Sequence, residues 1–247
     1  MISRRRFAVA AAVGIVCAVI AGPVLAQSLN IDLGGSPASA TSRIIQLVAL
    51  TTVLSLAPSI LVMVTSFTRF VVVLGFLRQA LGTQQAPPNT VMVSLAIFMT
   101  AFVMAPTFEK AWENGIQPVM DGHLDEMEGF DRAVKPFHAF MSKHVRDQDL
   151  KLFMDLSRSK EVANPEDVPV KVLIPAFMIS ELRRAFEIGF LIFLPFLIID
   201  MVIASVLMSM GMMMIPPAMI SLPFKLIFFV MVDGWFLVVG SLVQSYG

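Results

Sequence analysis

The sequence predicts an all-α, membrane-type fold: two repeated helical hairpins with a small helical domain inserted between them. Three observations carry this reading. Of 247 residues, 57% are hydrophobic and only 15% charged, against about 25% charged in an ordinary soluble domain; mean hydropathy is +0.80. Four windows hold almost no Asp, Glu, Lys or Arg: 44–68, 79–108, 188–217 with only Asp200, and 218–246 with only Lys225 and Asp233. A bilayer is crossed by about 20 mostly apolar residues, so each window accommodates one span. The third observation is that both pairs of windows are joined by the same kind of turn.

Those turns read LGTQQAPP (Leu81 to Pro88) and MGMMMIPP (Met210 to Pro217). Gly82 matches Gly211, and Pro87-Pro88 match Pro216-Pro217, at a constant offset of 129 positions. A glycine ends a helix at C′ and a proline opens the next at N1, so each half reads as a helical hairpin with a tight turn. Apolar matches such as Phe67 with Phe196 are cheap; the Gly and double-Pro register is not. Between them the turns differ: Thr83-Gln84-Gln85 in the first, Met212-Met213-Met214 in the second.

The chain begins with Arg4, Arg5 and Arg6, then an apolar run from Phe7 to Ile20 and a small-residue pattern ending at Ala26. This predicts a signal peptide over 1–26. Its removal takes away Cys17, the one cysteine, and with it disulfide and thiolate chemistry. A linker is expected over 27–43, the first hairpin over 44–108, a helical domain over 109–187 and the second hairpin over 188–247. A cleaved signal leaves the new N-terminus outside the cytoplasm. Two spans return the chain there, so the inserted domain is expected on the periplasmic side and both turns on the cytoplasmic side. Trp112 and Trp235 fall near outer ends, as interfacial anchors do.

Within 109–187, Pro136 is expected to open a helix and Asp147 or Asp149 to cap the next. Pro175 is expected to open a long helix that continues into the third span, where Pro195 kinks it. The apolar stripe of Phe137, Phe140, Met141, Phe153 and Met154 packs either in the domain's own core or between subunits, with Phe140 and Phe153 as packing residues.

Nothing in the sequence argues for an enzyme, a metal or a cofactor. There is no phosphate loop, nucleophile elbow or HExxH motif, and His123, His138 and His144 have no ligand spacing; they read as surface or capping residues. Zero formal net charge and the lack of a basic patch argue against nucleic acid. Asp200, Lys225 and Asp233 are more informative, because a charge at bilayer depth costs about 2.5–3.5 kcal/mol. They must face protein or water, either as a proton path or as structural salt bridges. One expectation is that Lys225 pairs with Glu181 of the same or a neighbouring subunit. Met208, Met210, Met212, Met213 and Met214 form a soft, polarizable cluster. It reads as a seal where several copies meet on an axis, or as ordinary packing and lipid contact.

The blocks PSILVMVTSFTRFVVVLGFLRQALGTQQAPPNTVMVSLAIFMT and SELRRAFEIGFLIFLPFLIIDMVIASVLMSMGMMMIPP, with SLPFKLIFFVMVDGW after them, closely resemble the FliP family of flagellar biosynthesis proteins. The resemblance covers about residues 44 to 246. It implies a membrane subunit of the flagellar type III export gate. About five copies would assemble with FliQ and FliR into a conduit for unfolded flagellar subunits, with FlhB and FlhA as further partners. It implies hairpins raised largely out of the lipid, a gasket at Met210 and Met212 to Met214, and an intersubunit contact between Glu181 and Lys225. Two other classes remain open on the residues: a small secondary transporter using Asp200, Lys225 and Asp233, and a membrane scaffold without a pore.

Overall fold

The computed structural model describes residues 37–158, 167–212 and 214–247, and among these every regular element is a helix. The expected signal peptide and Met213 lie outside the described residues. In chain order the elements are α1 (Pro37–Val64), α2 (Phe67–Leu81), α3 (Asn89–Ala111), a π-helical turn (Trp112–Ile116), α4 (Gln117–Met120), α5 (Glu126–His144), α6 (Asp147–Leu156), α7 (Val170–Ser209), α8 (Pro217–Met231) and α9 (Gly234–Gln244). Contacts divide the chain into one unit ending at Val53 and another, Leu54 to Gly247. Helix α1 begins within the stretch expected as a linker, and its residues 37–53 belong to the first unit. The second unit carries both glycine turns and the buried charged side chains.

Helix α2 is the centre of that second unit. It packs most extensively on α7 and also against α3. Phe70, Val73, Leu74 and Leu77 are fully buried, each contributing about 1.5–3 kcal/mol by leaving water. Around them lie Ala96, Met99, Phe196, Phe229 and Leu242. Close approach of α2 and α7 depends on Gly189, where an added Cβ would meet the Phe76 ring at 2.4 Å. A second core joins Met141, Met154, Val172, Leu173 and Phe177, with Phe137 and Phe153 packed on it. Phe140 touches both cores, so the aromatic stripe is at least partly satisfied within one chain.

The span windows resolve into different elements. Asn89–Met120 and Val170–Ser209 are each long and apolar enough to cross a membrane as single helices. Two other pairs pass that test only when taken together: Leu47–Leu56 with Pro58–Val64, and Pro217–Met231 with Gly234–Gln244, the latter bent by 64°. Between α1 and α2 the chain breaks at Thr65 and Ser66. The Thr65 hydroxyl donates to the Leu61 carbonyl at 2.8 Å and the Thr68 hydroxyl to the Val62 carbonyl at 3.1 Å. Hydroxyls thus meet carbonyls that the end of a helix leaves open. The last window breaks at Asp233, in the left-handed region with φ 51°.

Three local expectations are corrected. Pro136 does not open a helix; α5 starts at Glu126 and runs through it. The early turns are held by close packing on the π-helical turn: a Cβ on Gly115 would lie 2.7 Å from the Gly129 carbonyl oxygen and 2.6 Å from the Ala133 Cβ. Glu126 and Glu128 in the first turn and Lys143 and His144 in the last suit the helix dipole. Likewise Pro175 lies inside α7, which starts at Val170 after Pro169 and is continuous through Pro195. Neither Asp147 nor Asp149 caps α6; Arg146 holds the N-cap position without a side-chain bond. The Asp149 carboxylate instead accepts the Ser180 hydroxyl at 2.7 Å, and Ser180 in turn accepts the Arg146 N–H at 3.0 Å.

Candidate functional site

The two matched turns adopt the same backbone device. Gly82 has φ 74° and Gly211 φ 76°, the left-handed region that glycine enters without cost. Gly82 N–H donates to Gln79 O at 3.0 Å, and Gly211 N–H to Met208 O at 3.1 Å. The next carbonyl back is closed differently. In the second turn the Met212 N–H reaches Leu207 O at 3.0 Å, completing a Schellman motif. In the first, the Thr83 hydroxyl takes the equivalent Arg78 O at 3.4 Å. Thr83 therefore does with its side chain what Met212 does with its backbone, which leaves the Met212 side chain free of any duty in the turn. Pro88 is the N-cap of α3, and Pro216 and Pro217 are N-cap and first residue of α8. Met208, Met210, Met212 and Met214 are 59, 66, 42 and 97% exposed, so the cluster faces outward from the chain.

Beside the first turn, where its Nζ would lie 3.9 Å from a Cβ on Gly82, Lys225 of α8 ties three elements. Its Nζ donates to Asp200 Oδ2 of α7 at 2.6 Å and to the Ala80 carbonyl, in the last turn of α2, at 3.1 Å. Ser221 donates to Asp200 Oδ1 at 2.6 Å. An ammonium at a helix C-terminus also meets the negative end of the helix dipole.

At the other end of α2 lies a second, deeper pair. Arg69 and Glu181 are 1% and 0% exposed and join in a fork, Nε to Oε2 at 2.8 Å and Nη2 to Oε1 at 2.5 Å. Bidentate geometry of this kind is the strong form of an ion pair. The Tyr246 hydroxyl donates to Glu181 Oε2. The Arg69 guanidinium lies 3.7 Å from the centre of the Tyr246 ring, a cation–π contact. Arg69 Nη1 also donates to Ser245 Oγ at 2.8 Å. His144 completes the cluster, with Nδ1 at 2.8 Å from Phe140 O and Nε2 at 3.4 Å from Tyr246 O. Burial pushes its imidazole below the ordinary value, against smaller contributions from those carbonyls.

Within the chain, Glu181 and Lys225 do not pair with each other. Each already has a nearer opposite charge, Arg69 for Glu181 and Asp200 for Lys225. Asp233 joins neither pair; it is exposed at the break before α9. Among the described residues no group of three His, Cys, Asp or Glu side chains is placed to hold a metal ion.

The FliP family model matches residues 50–242. The chain is 57% identical over 244 residues to the flagellar biosynthetic protein FliP of Caulobacter vibrioides, covering 98% of this chain and 91% of that one. This chain belongs to the FliP family. It is also 52% identical to the Rhizobium meliloti protein of that name, over 90% of this chain and 92% of the relative. With the Bacillus subtilis protein, identity is 51% over 89% and 99% of the two chains. The FliP match takes in the methionine turn and both ion pairs.

No motif in the sequence singles out Arg69, Ser221, Ser245 or Tyr246. Tyr246 is the chain's one tyrosine, a signal in principle, but its partner is 65 positions away. His144, expected as a surface or capping residue, does meet a carbonyl at the end of α5. It is nevertheless buried, 6% exposed, because Phe140 and Tyr246 enclose its ring.

Proposed function

We propose that this chain is the pore-forming subunit of the flagellar type III export gate. In this reading about five copies join FliQ and FliR in the inner membrane, next to FlhB and FlhA. Residues 109–187 face the periplasm, and unfolded flagellar subunits pass along the shared axis. Met208, Met210, Met212, Met213 and Met214 of each copy form a compliant seal. Phe140, Phe153 and an exchange of Glu181 or Lys225 partners between copies would contribute to assembly.

The observation that carries the proposal is the methionine turn itself. Unbranched, polarizable side chains stand outward on a turn whose backbone is pinned by Gly211 and whose two flanking helices, α7 and α8, are tied to each other by Asp200 and Lys225. A rigid mount with soft tips suits a constriction that excludes water and ions yet deforms around a passing chain. The transporter alternative is less well supported. Lys225 and Asp200 are consumed in a tie between α2, α7 and α8, and Asp233 stands apart from them.

Deleting Met212 to Met214 is expected to make the inner membrane of expressing cells conduct ions, read as dissipation of a membrane-potential dye signal. Cysteines replacing Met212 in different copies should crosslink, and cysteines replacing Gln84 should not. An unchanged membrane potential with no Met212 crosslinks would remove the seal.

A further inference from the structure

The last helix, α9, is fastened at both ends, with one apolar face between them packed on the core. At its start, Asp233 takes a left-handed φ of 51° and α8 and α9 meet at 64°. The next residue must be small: a Cβ on Gly234 would come within 2.2 Å of the Phe229 ring. Along the helix, Phe236 and Leu237 point outward, while Val238, Val239 and Val243 pack half-buried against the core and Leu242 is buried in it. At its far end, Tyr246 is 6% exposed, and its ring packs on Phe70, Phe140 and His144. Its hydroxyl binds Glu181, its ring lies over Arg69, and its carbonyl faces His144. Ser245 adds bonds to Arg69 from its hydroxyl at 2.8 Å and its carbonyl at 3.3 Å.

We propose that α9 is a strap, hinged at Asp233–Gly234 and latched by Ser245–Tyr246 onto the Arg69–Glu181 pair. The latch is separable from the core because the pair does not need it. Arg69 alone reaches both Glu181 oxygens, so withdrawal of Tyr246 removes a hydroxyl and a ring but leaves the two buried charges matched. The packing of α2 on α7 around Phe76, where its ring meets Phe186, Phe193 and Gly189, is made within those two helices; Phe70, in the first turn of α2, also meets the Tyr246 ring, edge-on at 5.6 Å. The arm formed by α8 and α9 thereby has two anchors: Lys225 at the C-terminal end of α2 and Tyr246 over Arg69 at the N-terminal end of α2. Releasing the second frees α9 without unseating α8. The strap does not depend on whether the methionine turn seals a pore, and ion leakage and strap release are separate readouts.

Hydrogen exchange followed by mass spectrometry tests this on the full chain, purified in detergent with whatever copies and partners accompany it. In Tyr246→Ala the amides of 235–244 should exchange about tenfold faster, the scale of losing a hydrogen bond to a charged group, while those of α7, and of α2 beyond the first turn that carries Phe70, stay unchanged. Tyr246→Phe keeps the ring over Arg69 and should give a smaller rise confined to the same helix. No acceleration in α9, or an equal acceleration in α2 and α7, would overturn the strap; the second result would make Tyr246 a general core residue. Should the alanine variant not be recovered folded, the phenylalanine variant decides by the same comparison.

Discussion

Glu181 and Asp200 are both carboxylates in helix α7, yet they face different physical demands. Glu181 is sealed from water, and an unmatched buried charge costs about 3–5 kcal/mol; its oxygens are accordingly met by Arg69 and Tyr246. Asp200 keeps a side chain 42% exposed, so Lys225 shares its solvation with water. His144 shows the same principle in a titrating group. Both ring nitrogens face carbonyl oxygens, and the neutral ring donates to one of them. The nearest charges outside its own helix are Glu181 on α7, which favours protonation, and Arg69 on α2, which opposes it. Burial is the largest influence and lowers its pKa. The unfolded chain therefore takes the proton more readily than the folded one. The stability this group contributes is present above its unfolded value of about 6.5 and is lost as pH falls below it. Thermal unfolding of the purified protein between about pH 5 and 8 should show this loss toward acid, and His144→Gln should flatten the slope. An identical slope in the variant would assign the pH dependence to other groups.

At the scale of elements, glycine separates what is local from what is tertiary. Gly75 of α2 has open space where a Cβ would stand, whereas Gly189 of α7 would drive one into the Phe76 ring. Gly75→Ala should raise the melting temperature, since alanine gains up to about 1 kcal/mol in a helix interior. Gly189→Ala should lower it, by the roughly 1–3 kcal/mol typical of overpacking. A melting temperature unmoved by Gly189→Ala would mean that α2 and α7 are less tightly set than their geometry indicates. The turns at Gly82 and Gly211 are legible in the sequence because their conformation follows from residues within a few positions. The breaks at Thr65–Ser66 and at Asp233 are not, because a hydropathy window averages over them. TSFTR and the Asp-Gly pair are the available signals. The start of α5 is misread when Pro136 is given priority over the small-residue contact between Gly115, Gly129 and Ala133, because that contact lies between two separate elements.

At the scale of the whole molecule, wide apolar faces look outward: Phe98 and Phe102 on α3, Phe190 and Met201 on α7, Val230 and Met231 on α8. A monomer in water rarely leaves contiguous apolar patches of more than a few hundred Å², so lipid or other chains must cover these. Under the proposed function much of that cover is other copies. Native mass measurement of the detergent-solubilised complex should then find several copies per particle; a lone chain in detergent would contradict the conduit. Periodicity, composition and turn chemistry act over short stretches of chain, and from them come the all-α class, the four apolar windows and the paired Gly and Pro turns; the family is carried by the long matching blocks of sequence. Which charges pair is a matter of packing. Arg69 meets Glu181 across 112 positions and Lys225 meets Asp200 across 25. Electrostatic partners are chosen by distance and burial in the packed molecule, and sequence separation carries neither.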